Sequence, residues 1–197
     1  MMLVVICLVA YLLGSIPFGL IVGHLWAKID IRKYGSGNIG MTNVLRTLGY
    51  MPGLLTLVLD GGKGTAAVLL AKLVSDDPLV WLACGAFAIV GHNWSIFLRF
   101  QGGKGVATTA GVFLGVAPYV ALALFTVFLV VVVITRYVSL GSIVAAATLP
   151  IWLVIFGFPW PGLALGTLIS IFTVVRHRAN IGRLLSGTEY RFGQKSR

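Results

Sequence analysis

The chain has 197 residues, of which 58% are hydrophobic and only 10% charged, and its mean hydropathy is +1.00. Soluble domains of this size are usually about half apolar and one quarter charged, so this composition excludes a soluble globular fold and predicts an integral membrane protein. The formal charge of +10 does not indicate a nucleic-acid partner, because the basic residues lie between apolar runs instead of on one polar face.

The apolar runs predict an all-α polytopic membrane protein with seven transmembrane helices, some of them short or broken. A helix needs about 20 apolar residues to cross a bilayer, and fewer where it is broken or half-inserted. The candidate spans are 3–24, 53–73, 79–98, 106–117, 119–134, 138–156 and 162–175. The fourth and fifth form one run that is too long for a single crossing, and Pro118 near its middle predicts a tight turn. If that run were one kinked helix and another short segment failed to cross, the count would be five or six.

Lysine and arginine concentrate on one side of this arrangement. Every basic residue except Lys63 and Lys72 falls on that side, including those of the tail at 176–197. The opposite side carries an acidic loop at 76–77 and an uncharged link at 157–161. Because basic loops stay in the cytoplasm, we expect the N-terminus outside and the C-terminus inside the cell. The N-terminus is apolar without the basic stretch of a secretory signal, so we expect the first span to be retained.

Three polar segments on the side predicted to be cytoplasmic combine basic residues with glycine, asparagine, serine and threonine. The first lies at 34–46, and its candidate ligands are Ser36, Gly37, Asn38, Thr42, Asn43 and Arg46. Its glycines allow left-handed backbone conformations that present successive N–H groups to an anion. A helix beginning near Thr42 would place Asn43 and Arg46 on one face, and the planar guanidinium group can bind two phosphate oxygens. A solvated loop with a glycine-rich cap is the alternative.

The second segment, 99–109, joins the third and fourth spans and contains Gly102, Gly103 and Lys104. Free N–H groups at the beginning of a helix lie together with an ammonium group here, which is typical of anion binding. The segment is not a nucleotide P-loop, because Lys104 is followed by Gly105 and the G-x-x-x-x-G-K-[ST] spacing is missing.

The same Gly-Gly-Lys-Gly sequence occurs earlier, at 61–64. Asp60 and Lys63, three residues apart, can neutralise each other inside the membrane, where an isolated charge is costly. Two interpretations stay open: an ion pair with close helix packing at the glycines, or a contact with the substrate.

The third segment follows the seventh span and contains His177, Asn180, Arg183 and Glu189. If the helix continues through it, His177 and Asn180 share a face. Glu189 can then orient a base or hold an arginine. A basic tail that only binds anionic lipid is the alternative interpretation.

Several anion-binding segments on a chain that is almost entirely membrane indicate a substrate that is partly phosphate and partly lipid. The sequence has no Ser-His-Asp order, no H-E-x-x-H, no Cys/His cluster and no D-x-D pair. Covalent and metal catalysis are therefore disfavoured, and we expect neither a metal nor a cofactor.

The three segments resemble, in chain order, the motifs of the PlsY family, the bacterial inner-membrane acyl-phosphate:glycerol-3-phosphate acyltransferases. The matching residues are Ser36-Gly37-Asn38-Ile39-Gly40 with Thr42, Asn43 and Arg46, then Gly91-His92-Asn93-Trp94 with Gly102-Gly103-Lys104-Gly105, then His177-Arg178-Ala179-Asn180-Ile181 with Arg183, Gly187 and Glu189. The likeness includes 14–19 and runs over nearly the whole chain.

This resemblance implies a single integral-membrane acyltransferase domain over 1–197, in the bacterial inner membrane, with its active site facing the cytoplasm. It implies transfer of a fatty acyl group from acyl phosphate to glycerol 3-phosphate, which gives lysophosphatidic acid and phosphate. An acyl donor other than a thioester fits the absence of the H-x-x-x-x-D signature, since five residues separate His24 from Asp30. The sequence makes no prediction of an oligomeric state.

The resemblance also implies roles for individual residues. The expected catalytic residues are Ser36, Arg46, Lys104, His177 and Asn180, and the expected substrate-binding residues are Gly37, Asn38, Thr42, Asn43, Gly102, Gly103, Arg183 and Glu189. Phosphate oxygens would be held by Ser36, Arg46 and Lys104, with help from the backbone N–H groups of Gly37, Gly102 and Gly103. Asn180 would donate to the acyl carbonyl or to the acceptor. His177 is the candidate general base, and the phosphate of acyl phosphate is its rival.

Two alternatives from other classes remain. A small anion or lipid-phosphate transporter would also bind its substrate at broken, glycine-rich helix ends. A structural scaffold would leave the glycine and arginine clusters without a purpose.

Overall fold

The computed structural model describes residues 2–193, so Lys195 and Arg197 of the predicted basic tail lie outside the described residues. All regular structure in the described range is helical, which confirms the all-α part of the prediction. The α-helices are α1 (Met2–Ser15), α2 (Phe18–Ala27), α3 (Met41–Leu48), α4 (Tyr50–Lys72), α5 (Pro78–Asn93), α6 (Val106–Val116), α7 (Pro118–Thr135), α8 (Val138–Ile155), α9 (Trp160–Arg176) and α10 (Arg178–Leu185). Two short 3₁₀ helices, Ile31–Lys33 and Ile96–Leu98, lie in the connections.

Five stretches of the described chain are long and apolar enough to cross a membrane. They are Met2–Ala27, Tyr50–Lys72, Pro78–Leu98, Pro118–Thr135 and Val138–Ile155. The first consists of α1 and α2, which are separated by a break before Phe18. The helices α6 and α9 are apolar but shorter, with 11 and 17 residues. Every predicted span is helical, but a membrane crossing by α6 and α9 stays a prediction.

The long apolar run is interrupted where the sequence predicted a turn. The helix α6 ends at Val116, Ala117 has φ −151° and ψ 86°, and α7 begins at Pro118. Proline suits the first position of a helix, because the N–H group that it lacks has no partner within the helix there. The interruption therefore lies where the turn was predicted, and two separate crossings by α6 and α7 stay a prediction.

Glycines let α4 and α6 pack closely. A Cβ atom on Gly64 would collide with the backbone oxygen of Thr108, and one on Gly111 with that of Gly61. Small residues at such contacts are typical of helix pairs in membranes. Nζ of Lys63 also lies 2.8 Å from Oδ1 of Asp60. The first Gly-Gly-Lys-Gly sequence therefore has the packing role and the ion pair that one interpretation gave it.

The three polar segments lie at one end of the helix bundle. The helix of the seventh predicted span does not continue through the third segment, because α9 ends at Arg176 and α10 begins at Arg178. At His177, φ is −94° and ψ is 7°, which turns α10 away from the axis of α9. The chain then returns to the beginning of α8, where the N–H group of Phe192 donates to the backbone oxygen of Arg136 at 2.6 Å.

Candidate active site

The three polar segments meet around one cavity, as predicted. Nζ of Lys104 donates to Oδ1 of Asn180 at 2.5 Å, which joins the second segment to the third. The guanidinium carbon of Arg46 lies 5.0 Å from the centre of the Tyr190 ring, which joins the first segment to the chain after α10. The cavity is lined by all five residues that we expected to be catalytic: Ser36, Arg46, Lys104, His177 and Asn180.

The first segment is folded around the side chain of Asn43, which is almost fully buried. Its Nδ2 donates to three backbone oxygens at 2.8 to 3.1 Å, those of Ile31, Tyr34 and Asn38. Its Oδ1 accepts the N–H group of Ser36 at 2.9 Å. Gly35 and Gly37 have φ of 56° and 70° in this loop, as the glycine content predicted. The amide of Asn43 therefore shapes the segment, and because Asn43 also lines the cavity, its expected contact with the substrate stays a prediction.

Two other residues of this segment that we expected to bind substrate, Asn38 and Thr42, line the cavity. Oδ1 of Asn38 accepts the N–H group of Gly40 at 2.8 Å, immediately before α3 begins. The predicted helix near Thr42 therefore forms, and its first turn faces the cavity at Met41 and Thr42.

We expected the backbone amides of three glycines to hold phosphate, but the structure shows them engaged elsewhere. Each donates within the protein: Gly37 to Tyr34 at 3.0 Å, Gly102 to Asn93 at 3.2 Å and Gly103 to His92 at 2.9 Å. The last two acceptors belong to the end of α5, whose final carbonyl groups have no partner within the helix. The second segment therefore caps α5, and Val106 and Ala107 in the first turn of α6 line the cavity.

Lys104 lies among an excess of positive charge. Burial lowers the pKa of Lys104 to about 8, and the neighbouring charges of Arg183 and Arg46 act in the same direction. The carboxylate of Glu189 opposes them. Cations that share a partly buried space with too few carboxylates stabilise a bound anion.

Glu189 organises the third segment from a buried position. Its Oε1 accepts Nδ2 of Asn180 and Oγ of Ser139, both at 2.9 Å, and its Oε2 accepts Nε of Arg183 at 2.7 Å. Burial alone would raise the pKa of Glu189, but these donors outweigh it and bring the pKa below its usual value. Glu189 therefore holds an arginine, one of its two expected roles. Glu189 lines the cavity, and Arg183 is not among the lining residues.

His177 is neutral at physiological pH. Its Nδ1 lies 2.7 Å from the backbone oxygen of Thr173, and because a carbonyl oxygen only accepts, Nδ1 carries the proton and Nε2 has the lone pair. Burial lowers the pKa of His177 to about 4, although the Thr173 carbonyl opposes the shift, and the charge of Lys104 lowers it further. His177 thus offers the cavity a hydrogen-bond acceptor of low basicity.

The other end of the cavity is apolar. Its wall comes from α7, α8 and α9 and includes Ala121, Leu124, Phe125, Phe128, Leu149 and Ile169. Leu149 and Ile169 are only 2% and 4% exposed and form the floor, whereas Phe125 on α7 is 57% exposed and borders the lipid. One cavity therefore has a cationic end and an apolar end, which suits a molecule with an anionic head and a hydrocarbon chain.

Several cavity residues were not predicted. Ser139 and Ser142, three residues apart at the beginning of α8, both line the cavity. Polar residues at this spacing in an otherwise apolar span are a signal that could have identified them. Asp60 and His92, which we had left outside the site, line it as well.

Comparisons with known proteins give one consistent result. The profile of the family described as glycerol-3-phosphate acyltransferase matches residues 4–187. A glycerol-3-phosphate acyltransferase of Desulforamulus reducens is 49% identical over 192 residues, which cover 98% of this chain and 96% of that protein. Glycerol-3-phosphate acyltransferase 2 of Moorella thermoacetica is 50% identical over 188 residues, covering 95% and 96%.

Solved structures are similar over almost the same length. The glycerol 3-phosphate form of PlsY, an integral membrane glycerol 3-phosphate acyltransferase, superimposes with a TM-score of 0.92 at 42% identity. The lysophosphatidic acid form of that protein gives a TM-score of 0.90 at the same identity. Each match covers 98% of this chain and 96% of the PlsY chain.

Proposed function

Because this chain belongs to the glycerol-3-phosphate acyltransferase family, we propose that acyl phosphate donates the acyl group that it transfers to glycerol 3-phosphate. The protein is an integral membrane enzyme of phospholipid synthesis, and its product is lysophosphatidic acid. One observation carries the choice of donor. The cations Lys104 and Arg46 lie at one end of a cavity whose other end is apolar, so a phosphate directly attached to an acyl chain matches both ends.

The donor also accounts for the small set of catalytic groups. Acyl phosphate is already activated, because phosphate is its leaving group, so positioning and charge stabilisation can supply most of the catalysis. Both substrates carry a phosphate, and we assign the phosphate oxygens to Lys104, Arg46 and Ser36. The acyl chain lies along the apolar wall, which reaches the lipid at Phe125.

In the reaction, the hydroxyl oxygen of glycerol 3-phosphate attacks the acyl carbonyl carbon. The bond from that carbon to the phosphate oxygen breaks, and phosphate leaves with the bonding electrons while Lys104 and Arg46 stabilise its charge. Asn180 accepts from Lys104 through Oδ1 and donates one N–H to Glu189. Its second N–H is assigned to the acyl carbonyl or the acceptor.

The hydroxyl proton has two possible acceptors, and their basicity decides between them. As its bond to carbon breaks, acyl phosphate becomes free phosphate, and a phosphate group has a second pKa of about 6, whereas the pKa of His177 is lowered to about 4. The departing phosphate is therefore the stronger base, and we assign the proton to it. His177 then accepts a hydrogen bond at Nε2 and orients the attacking hydroxyl.

The decisive experiment incubates purified protein with acyl phosphate and glycerol 3-phosphate and measures lysophosphatidic acid and released phosphate. A parallel reaction replaces acyl phosphate with an acyl thioester. Lys104→Ala and Arg46→Ala should abolish product formation without changing the gel-filtration profile. Lys72, whose Nζ lies 4.4 Å from the centre of the Trp81 ring, provides the control, and Lys72→Ala should retain product formation. Product from the thioester alone refutes the donor, and wild-type turnover in both site variants refutes the phosphate assignment.

We also propose seven spans in the bacterial inner membrane, with the N-terminus outside and the C-terminus and active site on the cytoplasmic side. The concentration of basic residues at the end of the bundle that holds the site supports this orientation. Single cysteines at the exposed positions Asp76 and Arg99 test it, once the buried Cys7 and Cys84 are replaced. An impermeant thiol reagent on intact spheroplasts should label Asp76→Cys, and Arg99→Cys only after permeabilisation. The reverse pattern refutes the orientation.

A further inference from the structure

Three titratable side chains lie buried beside the cavity and take no part in the reaction described above. Asp60, Lys63 and His92 are 1%, 3% and 4% exposed. Oδ1 of Asp60 lies 2.8 Å from Nζ of Lys63 and 3.5 Å from Nδ1 of His92. Mutual neutralisation within the membrane explains why a carboxylate accompanies Lys63. It does not explain why His92 faces the same oxygen.

The ammonium group of Lys63 contacts the break between α1 and α2. Its Nζ donates to the backbone oxygen of Ile16 at 2.8 Å and lies 5.6 Å from the centre of the Phe18 ring. At the break between α1 and α2 this carbonyl group also accepts the N–H group of Phe18 at 3.1 Å, and Lys63 adds a charged donor in an apolar environment. Asp60 and His92, in contrast, both line the substrate cavity.

His92 is in direct contact with the second segment. Its backbone oxygen accepts the N–H group of Gly103 at 2.9 Å. A Cβ atom on Gly103 would overlap Nε2 of the imidazole ring, so the glycine lies directly against that ring. The ring therefore has Asp60 beside Nδ1 and Gly103 against Nε2.

Arg176 also holds the same glycine. Nε of Arg176 donates to the oxygen of Gly103 at 3.0 Å, and an Nη group donates to the oxygens of Gly102 and Gly103 at 3.0 and 2.8 Å. Gly103 directly precedes Lys104, so a displaced imidazole ring would move the backbone from which Lys104 extends. Its ammonium group would then lose its alignment with Asn180.

We propose that Asp60 and His92 are positioning residues for Lys104. The carboxylate orients the imidazole ring, the ring fixes the backbone at Gly103, and this backbone places the ammonium group of Lys104 at the substrate phosphate. The inference rests on the proposed function, because it assumes that Lys104 holds a phosphate.

The test compares two ways of removing the carboxylate–imidazole contact. In Asp60→Asn/Lys63→Met the buried pair is replaced without leaving a net charge, and in His92→Gln the ring is removed while the ion pair stays. Both should raise KM by about tenfold, the effect of a displacement well below 1 Å, and for the same substrate whose KM rises in Lys104→Arg. Both should also shift the alkaline limb of kcat/KM that arises from Lys104, which a loss of folded protein alone does not do.

The controls separate this idea from a purely structural role. Thr56 is a buried residue of α4 that does not line the cavity. Thr56→Val, which removes its hydroxyl group, should leave both KM values and the pH profile unchanged. Wild-type KM values and pH profile in the folded double variant would mean that Asp60 only neutralises Lys63, and the proposal would be wrong. Absence of product from the wild-type protein would instead refute the proposed function.

A second pair of variants tests the contact itself. Gly103→Ala should raise KM for the same substrate, because its methyl group pushes against the ring. Adding His92→Ala relieves this overlap but also removes the ring, so the combined variant should recover no further than the KM of His92→Gln. A combined variant that returns to the wild-type KM overturns the role of the ring.

Discussion

The lowered pKa of Lys104 makes phosphate binding sensitive to alkali. The ammonium form attracts phosphate and the neutral amine does not, so kcat/KM should fall as pH rises through about 8. An ordinary lysine, with a pKa near 10.4, would remain charged throughout this range. The burial and the neighbouring cations described above are therefore expected to create an alkaline limb that an exposed lysine would not produce.

The size of the effect follows from the fraction of charged Lys104. With a pKa of about 8, roughly nine tenths of the side chain is charged at pH 7 and roughly one tenth at pH 9, so kcat/KM should fall about tenfold. Lys104→Arg should have a lower rate at pH 7, because a guanidinium group does not fit the contact with Asn180. It should nevertheless lose the alkaline limb, since arginine stays charged.

The assay measures initial rates of lysophosphatidic acid formation, because alkaline hydrolysis of acyl phosphate does not yield this product. Lys72→Arg is the matched control and should keep the alkaline limb. Thermal unfolding distinguishes deprotonation from denaturation: a folded pKa below the unfolded value means that Lys104 contributes rising stability between about pH 8 and 10.5. A wild-type profile that is flat to pH 9, or an identical limb in Lys104→Arg, refutes this account.

Three further substitutions probe other parts of the site. His177→Gln should retain most of the rate between about pH 5 and 8, because its amide oxygen can still accept from the hydroxyl and the leaving phosphate takes the proton; loss of the rate together with loss of the acidic limb of the pH–rate profile would make His177 the base. Glu189→Gln removes the charge that holds Arg183 and should lower kcat/KM by about tenfold to a hundredfold, whereas unchanged kinetics would show that the carboxylate is dispensable. Leu149→Phe fills the floor of the apolar end and should raise KM for long acyl phosphates more than for short ones, and equal effects on all chain lengths would place the acyl chain elsewhere.

The helices and the polar segments could be predicted because their signals are local. Apolar runs identify helices that face lipid, and Pro118 marks the interruption between α6 and α7. Glycine content predicted the left-handed turns at Gly35 and Gly37. Basic residues beside these glycines indicated anion binding, and the structure brings Lys104 and Arg46 to one cavity.

The hydrogen-bond partners of individual polar groups could not be predicted, because they depend on tertiary contacts that no local sequence pattern contains. Whether the amides of Gly102 and Gly103 are free depends on the end of α5, whose terminal carbonyl groups require donors. The part played by Ser139 depends on the return of Glu189 across the beginning of α8. A glycine-rich loop can therefore donate its amides to the end of a neighbouring helix instead of to an anion.

The position of the cavity follows from the two phases that the substrates occupy. Glycerol 3-phosphate is soluble in water and the acyl chain is soluble in lipid, so their reacting atoms can meet only near the boundary between the phases. Irregular backbone is tolerated at that depth only where it is enclosed by protein or lines a cavity. The second segment satisfies this condition, because α5 and Arg176 engage the polar groups of its glycines. Lys104 can thus be held between the apolar wall and the polar loops without leaving backbone groups exposed to lipid.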